Sequence, residues 1–128
     1  MSDDLKLYLR QWLIKAEHDI ISAQVLLNHQ PMVLDVACFH CQQAVEKYLK
    51  AFLISRGKSI QKTHDVDKLL VECIELDEDF NSFDLKNLEL FAVEARYPDN
   101  FLIPELPEAK EYLSIAEEVK KLVEQKIK

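Results

Sequence analysis

Glycine and proline are scarce in this chain, which contains one Gly and four Pro among 128 residues. Sheet proteins need such residues in the turns between many short strands, so the scarcity argues against a β architecture. Leu, Ala, Glu and Lys, which favour helix, are abundant instead. With 48% hydrophobic and 30% charged residues, the sequence predicts one all-α domain that spans residues 1–128.

Long apolar runs and an apolar leader are also missing. The longest apolar run is far shorter than the roughly 20 residues that a membrane span requires. The opening residues, MSDDLKLY, are acidic and lack the apolar core of a secretory signal. We therefore expect a cytoplasmic protein that has no membrane partner.

The charge is negative overall but unevenly distributed. A net charge of −7 repels nucleic acid and anionic membranes from the molecule as a whole. Residues 47–64 nevertheless contain five basic side chains and no acid, whereas residues 72–94 contain eight acids and one lysine. A local anion site is compatible with this pattern. The alternative is that both segments are solvated helix and loop faces.

The three cysteines do not form a recognisable redox or metal motif. Cys38 and Cys41 have C-x-x-C spacing, but the strand-turn-helix context of a redox site is absent. A structural zinc site needs a second pair of ligands, which Cys73 alone does not supply. We expect the cysteines to pack in the core, and we expect neither a metal nor a cofactor.

Apolar residues at three- and four-residue spacing predict helices along most of the chain. The predicted helices are five: about Asp4 to Asn28, Leu34 to Ser55, His64 to Glu75, Asp84 to Ala95, and one from Pro104–Pro107 to Ile127. These segments predict an antiparallel up-and-down four-helix bundle with one additional short helix, the third. The second helix carries two apolar lines and only a narrow polar stripe, so we expect it to be central.

Arg96 is the first candidate for binding chemistry. It lies at the end of the fourth predicted helix, and a proline, Pro98, follows two residues later. A guanidinium fixed there presents a bidentate donor to a phosphate, and Tyr97, Asp99 and Asn100 would shape the site. The alternative is that Arg96 caps the helix carbonyls or pairs with Asp99.

His64 and Asp65 open the third predicted helix. A histidine beside helix-start amides is suited to phosphate binding or to acid–base chemistry. The alternative is that Asp65 caps the helix while His64 is an exposed loop residue. Gln43 and Lys47 share one face of the second helix and are further candidates for ligand binding. The alternative is that Gln43 and Lys47 belong to a solvated stripe or to a stripe at a protein interface.

The stretches CFHCQQAVEKYLKAFL, KTHDVDKLL and FAVEARYPD together resemble the HEPN family, and the likeness covers the chain from about Trp12 to Leu122. The resemblance implies an up-and-down helical bundle that pairs as a homodimer. It also implies a partner, because HEPN proteins are often encoded beside a minimal nucleotidyltransferase in a toxin–antitoxin module.

Many HEPN proteins are metal-independent endoribonucleases, whose motif is an arginine followed after four to six residues by a histidine. Arg96 matches the arginine, but residues 101–103 are Phe, Leu and Ile, and no histidine follows His64. The leading hypothesis is therefore a dimeric module that binds a nucleotide or RNA phosphate through Arg96, with Lys47 and His64 as helpers. The alternatives are an endoribonuclease that uses Arg96 with His64, and a non-catalytic scaffold.

Overall fold

The computed structural model describes residues 1–92, Pro98 and residues 103–127. These residues form four α-helices and no strand, so the all-α prediction is confirmed. The helices are α1 (Asp3–Leu27), α2 (Leu34–Ser55), α3 (Val66–Leu76) and α4 (Leu106–Ile127), with 3-10 helices at Glu78–Ser82 and Leu88–Phe91 between α3 and α4. The up-and-down order of the bundle and its division into one domain stay predictions. In the described part of the chain, none of the helices combines the length and apolar character that crossing a bilayer requires.

The first helix begins where the sequence supplies a cap. The Ser2 hydroxyl accepts a hydrogen bond from the Leu5 backbone N–H at 3.1 Å, and Asp3 and Asp4 lie in the first turn, where their charge complements the helix dipole. The inner face of α1 is apolar, with Ala16, Ile20, Ala23 and Leu27 among its buried residues.

The second helix is central, as predicted, because it packs against α1, α3 and α4. Its two apolar lines are buried and include Ala44, Tyr48 and Phe52. Gly57 lies just beyond the helix with a φ of +79°, a left-handed conformation in which a side chain is strained. The predicted terminator of α2 is confirmed.

The prediction of a fourth helix from Asp84 to Ala95 is wrong for residues 84–92, which the structure describes. The Asp84 carboxylate accepts a hydrogen bond from the Lys86 backbone N–H at 2.9 Å, and Lys86 has a φ of 54°. This turn competes with helix formation, and the next element along the chain is a single 3-10 segment. Leu85, Leu88 and Phe91 are nevertheless buried, so this segment contributes to the core. Residues 93–95 of the prediction lie outside the described residues.

The cysteines lie in the core, as predicted. Cys38, Cys41 and Cys73 are free and fully buried. Burial raises the pKa of the Cys38 and Cys73 thiols to about 12 and raises the pKa of Cys41 as well. These thiols are therefore protonated at neutral pH, which is the state expected of packing residues.

Candidate functional site

Half of the predicted site residues can be placed in the structure. Gln43 and Lys47 lie on α2, and His64 and Asp65 immediately precede α3. The other four lie outside the described residues: Arg96, Tyr97, Asp99 and Asn100.

The His64 imidazole is held by a buried carboxylate. Its Nδ1 lies 2.9 Å from Oε1 of Glu46, whose side chain is 4% exposed, whereas the His64 side chain is 55% exposed. The ring is thus fixed through one nitrogen at the edge of a buried group, and Nε2 is directed away from Glu46. A histidine oriented in this way is suited to donate to a phosphate oxygen or to move a proton.

The same carboxylate holds a buried ammonium. Lys50 Nζ lies 3.2 Å from Oε2 of Glu46, one helical turn away, and the Lys50 side chain is 6% exposed. Lys50 Nζ also lies 5.7 Å from the centre of the Trp12 ring. A buried charge requires a partner, so Lys50, Glu46 and His64 form one linked polar group, here called the Glu46 cluster. Glu46 and Lys50, in the polar stripe of α2, are therefore buried rather than solvated.

Two glutamines of α2 hold the backbone at His64. Gln42 is fully buried, and its Nε2 donates to the His64 carbonyl at 2.8 Å. Gln43 Nε2 donates in turn to Oε1 of Gln42 at 2.8 Å and lies 3.5 Å from Oε1 of Glu46. Gln43, predicted as a ligand-binding residue, therefore has its amide N–H group engaged within the protein.

Lys47 belongs to a second polar group, at the boundary of α1 and α2. Its Nζ lies 2.5 Å from Oδ2 of Asp19, and His40 Nδ1 lies 2.8 Å from Oδ1 of the same carboxylate. The Asp19 side chain is 9% exposed and the Lys47 side chain is 23% exposed. Lys47 is therefore anchored by Asp19 while part of its side chain reaches solvent.

Carboxylates occupy the amides at the start of α3. Asp65 accepts from the Lys68 N–H at 3.0 Å, so its predicted role as a cap is confirmed. Glu89 accepts from the Val66 N–H at 2.7 Å. Because of desolvation, with further contributions from Asp65 and Asp67, the pKa of Glu89 rises to about 7. These acids disfavour a phosphate at the helix-start amides.

Asp65, Asp67 and Glu89 also form the group that comes nearest, within the described residues, to a set of metal ligands. One oxygen from each lies within 4.8 Å of the others. Two of the three residues are exposed, and such acidic groups are common at protein surfaces.

A pocket of about 230 Å³ lies beside Lys47. It is lined by Tyr8, Gln11, Trp12, Lys15 and Lys47. The Tyr8 and Trp12 rings meet edge to face, with centroids 6.4 Å apart and planes at 87°. The pocket thus combines an aromatic wall with two lysines.

Sequence reasoning missed the two carboxylates that organise these groups. Asp19 lies among the apolar residues of α1, between Ala16 and Ile20, and an acid on a buried face is a signal for a buried partner. The contact of Glu46 with His64 depends on the path of the loop between α2 and α3, which a sequence pattern does not define.

The chain resembles known proteins in sequence and in fold. The HEPN domain family model matches residues 9–126. The crystal structure of a protein from Thermus thermophilus is 29% identical, with a TM-score of 0.70, and the match covers 92% of this chain and 97% of that chain. A crystal structure of an archaeal HEPN homologue is 22% identical, with a TM-score of 0.67 and coverage of 94% and 98% respectively, which is a likeness of fold alone. The comparison with curated proteins gives no match.

Proposed function

The chain belongs to the HEPN family, and on that premise we propose that it binds a nucleotide or an RNA phosphate. In this proposal it acts in the cytoplasm as a homodimer and works with a minimal nucleotidyltransferase in a toxin–antitoxin-like module. The observation that carries the binding proposal is the fixed, half-exposed imidazole of His64 on the buried Glu46 carboxylate.

A group that is already oriented loses little rotamer freedom when it binds a ligand, so the anchoring of His64 favours affinity. Arg96, four residues after Ala92, supplies a guanidinium for the same phosphate, and the sequence neighbours Tyr97, Asp99 and Asn100 would complete its surroundings. Lys47 adds positive charge from α2, where Asp19 anchors it.

Thermal unfolding with and without nucleotides tests this proposal. A ligand that binds only the folded state at ~100 times its Kd adds about 2.7 kcal/mol of stability and raises the Tm. We expect His64→Ala and Arg96→Ala each to diminish that rise. His29→Ala is the matched control, because His29 is exposed in the loop between α1 and α2. No rise in Tm with any nucleotide at millimolar concentration would contradict nucleotide binding.

The homodimer proposal is supported by an apolar stripe on the outer face of α1. Leu7, Ile14 and Ile21 recur every seven residues and are 57%, 44% and 46% exposed. Such a seven-residue repeat is typical of a helix that packs against another helix. Sedimentation of Ile14→Glu should show a loss of dimer, whereas Val71→Glu, at an exposed position on α3, should leave the dimer intact. A wild type that sediments only as a monomer at micromolar concentration argues against the dimer.

A second candidate function is endoribonuclease activity with Arg96 and His64, and the anchoring of His64 favours it. In that reaction the RNA 2′-oxygen bonds to the adjacent phosphorus and the bond to the 5′-oxygen breaks, which leaves a 2′,3′-cyclic phosphate and a 5′-hydroxyl. The 2′-hydroxyl loses its proton and the leaving 5′-oxygen gains one; His64 would carry out one of these two transfers and water the other, and Arg96 would stabilise the phosphate charge. RNA cleavage and growth arrest should both be lost in Arg96→Ala. Undiminished toxicity of that variant rules out this mechanism.

Co-purification with a nucleotidyltransferase encoded next to this chain tests whether the two proteins form a complex. A stable complex of the wild-type chain supports the two-component module, and the absence of any complex opposes it. A complex that survives Arg96→Ala, together with no nucleotide effect on Tm, favours the non-catalytic scaffold.

A further inference from the structure

The pocket lined by Tyr8, Gln11, Trp12, Lys15 and Lys47 is distinct from the Glu46 cluster in its chemistry. We propose that it binds one nucleotide, with the base against the aromatic rings and the phosphate near the two lysines. The ligand is a free nucleoside monophosphate or one nucleotide unit of single-stranded RNA. This inference rests on the proposed function and names a place at which the nucleotide is bound.

The aromatic wall is positioned by the core. Trp12 packs against the buried residues Leu9, Ala51 and Ile54, so its indole is held at the boundary of α1 and α2. Lys50 Nζ, 5.7 Å from the ring centre, further restricts the indole. Tyr8, one turn earlier on α1, is 43% exposed and meets the indole edge to face. A fixed indole beside an exposed phenol is a suitable surface for stacking a nucleobase.

The charge of the pocket selects an anion. Lys15 and Lys47 approach from different helices, and none of the described residues that line the pocket is acidic. The Asp19 carboxylate, 2.5 Å from Lys47 Nζ, holds Lys47 in place and balances its charge. Lys15 therefore supplies the net positive charge beside the aromatic rings, in contrast with the net charge of −7 of the whole chain. An aromatic ring joined to an anion through a short spacer is the chemistry of a nucleotide.

The size of the pocket fits one ring system. Its volume of about 230 Å³ is below the ~300–1,000 Å³ of sites that enclose drug-sized ligands. The base would therefore occupy the pocket while the sugar and phosphate extend along the surface toward the lysines. Gln11 offers both a donor and an acceptor to the edge of a base.

The sole tryptophan of the chain is Trp12, so tryptophan fluorescence reports on the surroundings of this indole, which include the pocket. The wild-type chain is titrated with AMP, with adenosine, with ribose 5-phosphate and with a single-stranded oligoadenylate. We expect saturable quenching by AMP or by the oligonucleotide, weaker binding of adenosine, and no quenching by ribose 5-phosphate. Saturation by the oligonucleotide but not by AMP identifies RNA as the source of the nucleotide unit.

Two variants and a control complete the test. Tyr8→Leu should weaken binding by about 5- to 150-fold, the range that loss of one stacking contact implies. Lys15→Gln should weaken it by about fivefold and reduce its salt dependence. Lys121→Gln, at an exposed position on α4 away from the pocket lining, should have no effect.

The possible outcomes distinguish a failure of the pocket assignment from a failure of the proposed nucleotide binding. If nucleotides raise the Tm but neither quench Trp12 nor respond to Tyr8→Leu, the pocket assignment is wrong and nucleotide binding elsewhere stands. If no nucleotide or RNA changes either the Tm or the fluorescence, both fail. Quenching that is equal for AMP and ribose 5-phosphate overturns the stacking of a base.

Discussion

Removing the carboxylate of Glu46 should destabilise the fold severely, because it leaves a buried ammonium without its partner. Glu46 and Lys50 are 4% and 6% exposed, and their charged atoms are 3.2 Å apart. Breaking a buried pair from one side costs about 3–5 kcal/mol. The stability of a whole domain is only about 5–15 kcal/mol. We therefore expect Glu46→Ala to lose roughly a fifth or more of the stability of the chain.

Urea denaturation measures this loss through the midpoint and slope of the unfolding transition. Glu118→Ala is the matched control, since Glu118 is exposed on α4, and it should change stability by less than about 0.5 kcal/mol. The double variant Glu46→Leu/Lys50→Met removes both charges, so it should recover much of the loss, because apolar replacement of a buried pair is often neutral. A cost below about 1 kcal/mol for Glu46→Ala would show that Glu46 and Lys50 do not form a buried ion pair, since breaking such a pair typically costs several times more.

Three further predictions concern single features of the fold. Gly57→Ala should lower stability by about 1 kcal/mol in urea denaturation, because the φ of +79° strains any side chain. The strain is in the backbone alone, since nothing lies within 4 Å of the added carbon. An unchanged denaturation midpoint would contradict this prediction. The three cysteines should react slowly with a thiol reagent at pH 8 in the native chain and rapidly in urea, because burial raises the pKa of each thiol; fast native reaction would contradict their burial. Glu89 has its pKa raised from 4.5 to about 7 in the folded state, so its contribution to stability is complete below pH 4.5 and is lost as the pH rises through 7. The Tm of Glu89→Gln relative to wild type should therefore increase across that interval, and a constant difference would contradict the raised pKa.

The helices that the sequence predicts well are those with long apolar periodicity. The bounds of α2 match the prediction at both ends, because two apolar lines begin at Leu34 and the chain reaches a glycine soon after Ser55. The start of α3 shifts by two residues, since the capping role of Asp65 excludes His64 from the helix.

The fourth predicted helix shows where periodicity fails. Leu85, Leu88 and Phe91 have helical spacing and are buried, yet the backbone that carries them is a turn and a 3-10 segment. A short segment with apolar residues at every third position can bury them as an α-helix or as a turn and 3-10 segment. The Asp84 side chain favours the turn. Spacing alone does not distinguish these conformations over so few residues.

The candidate site was only partly predictable for a similar reason. The polar stripe of α2 was visible in the sequence, and so was the histidine that precedes α3. The burial of Glu46 beneath that histidine is a tertiary contact across 18 residues of chain. The pocket at Trp12 likewise joins α1 to Lys47 on α2, a register that amphipathic patterns do not specify.

The most direct test of nucleotide or RNA phosphate binding is a titration of the isotope-labelled chain, followed through the ring resonances of its four histidines. AMP and a short single-stranded RNA are added in turn. We expect the His64 ring to shift saturably with at least one of them, the His29 ring not to shift, and Arg96→Ala to weaken the response. If neither ligand shifts the His64 ring, or if the His64 ring shifts no more than that of His29, phosphate binding at His64 is contradicted.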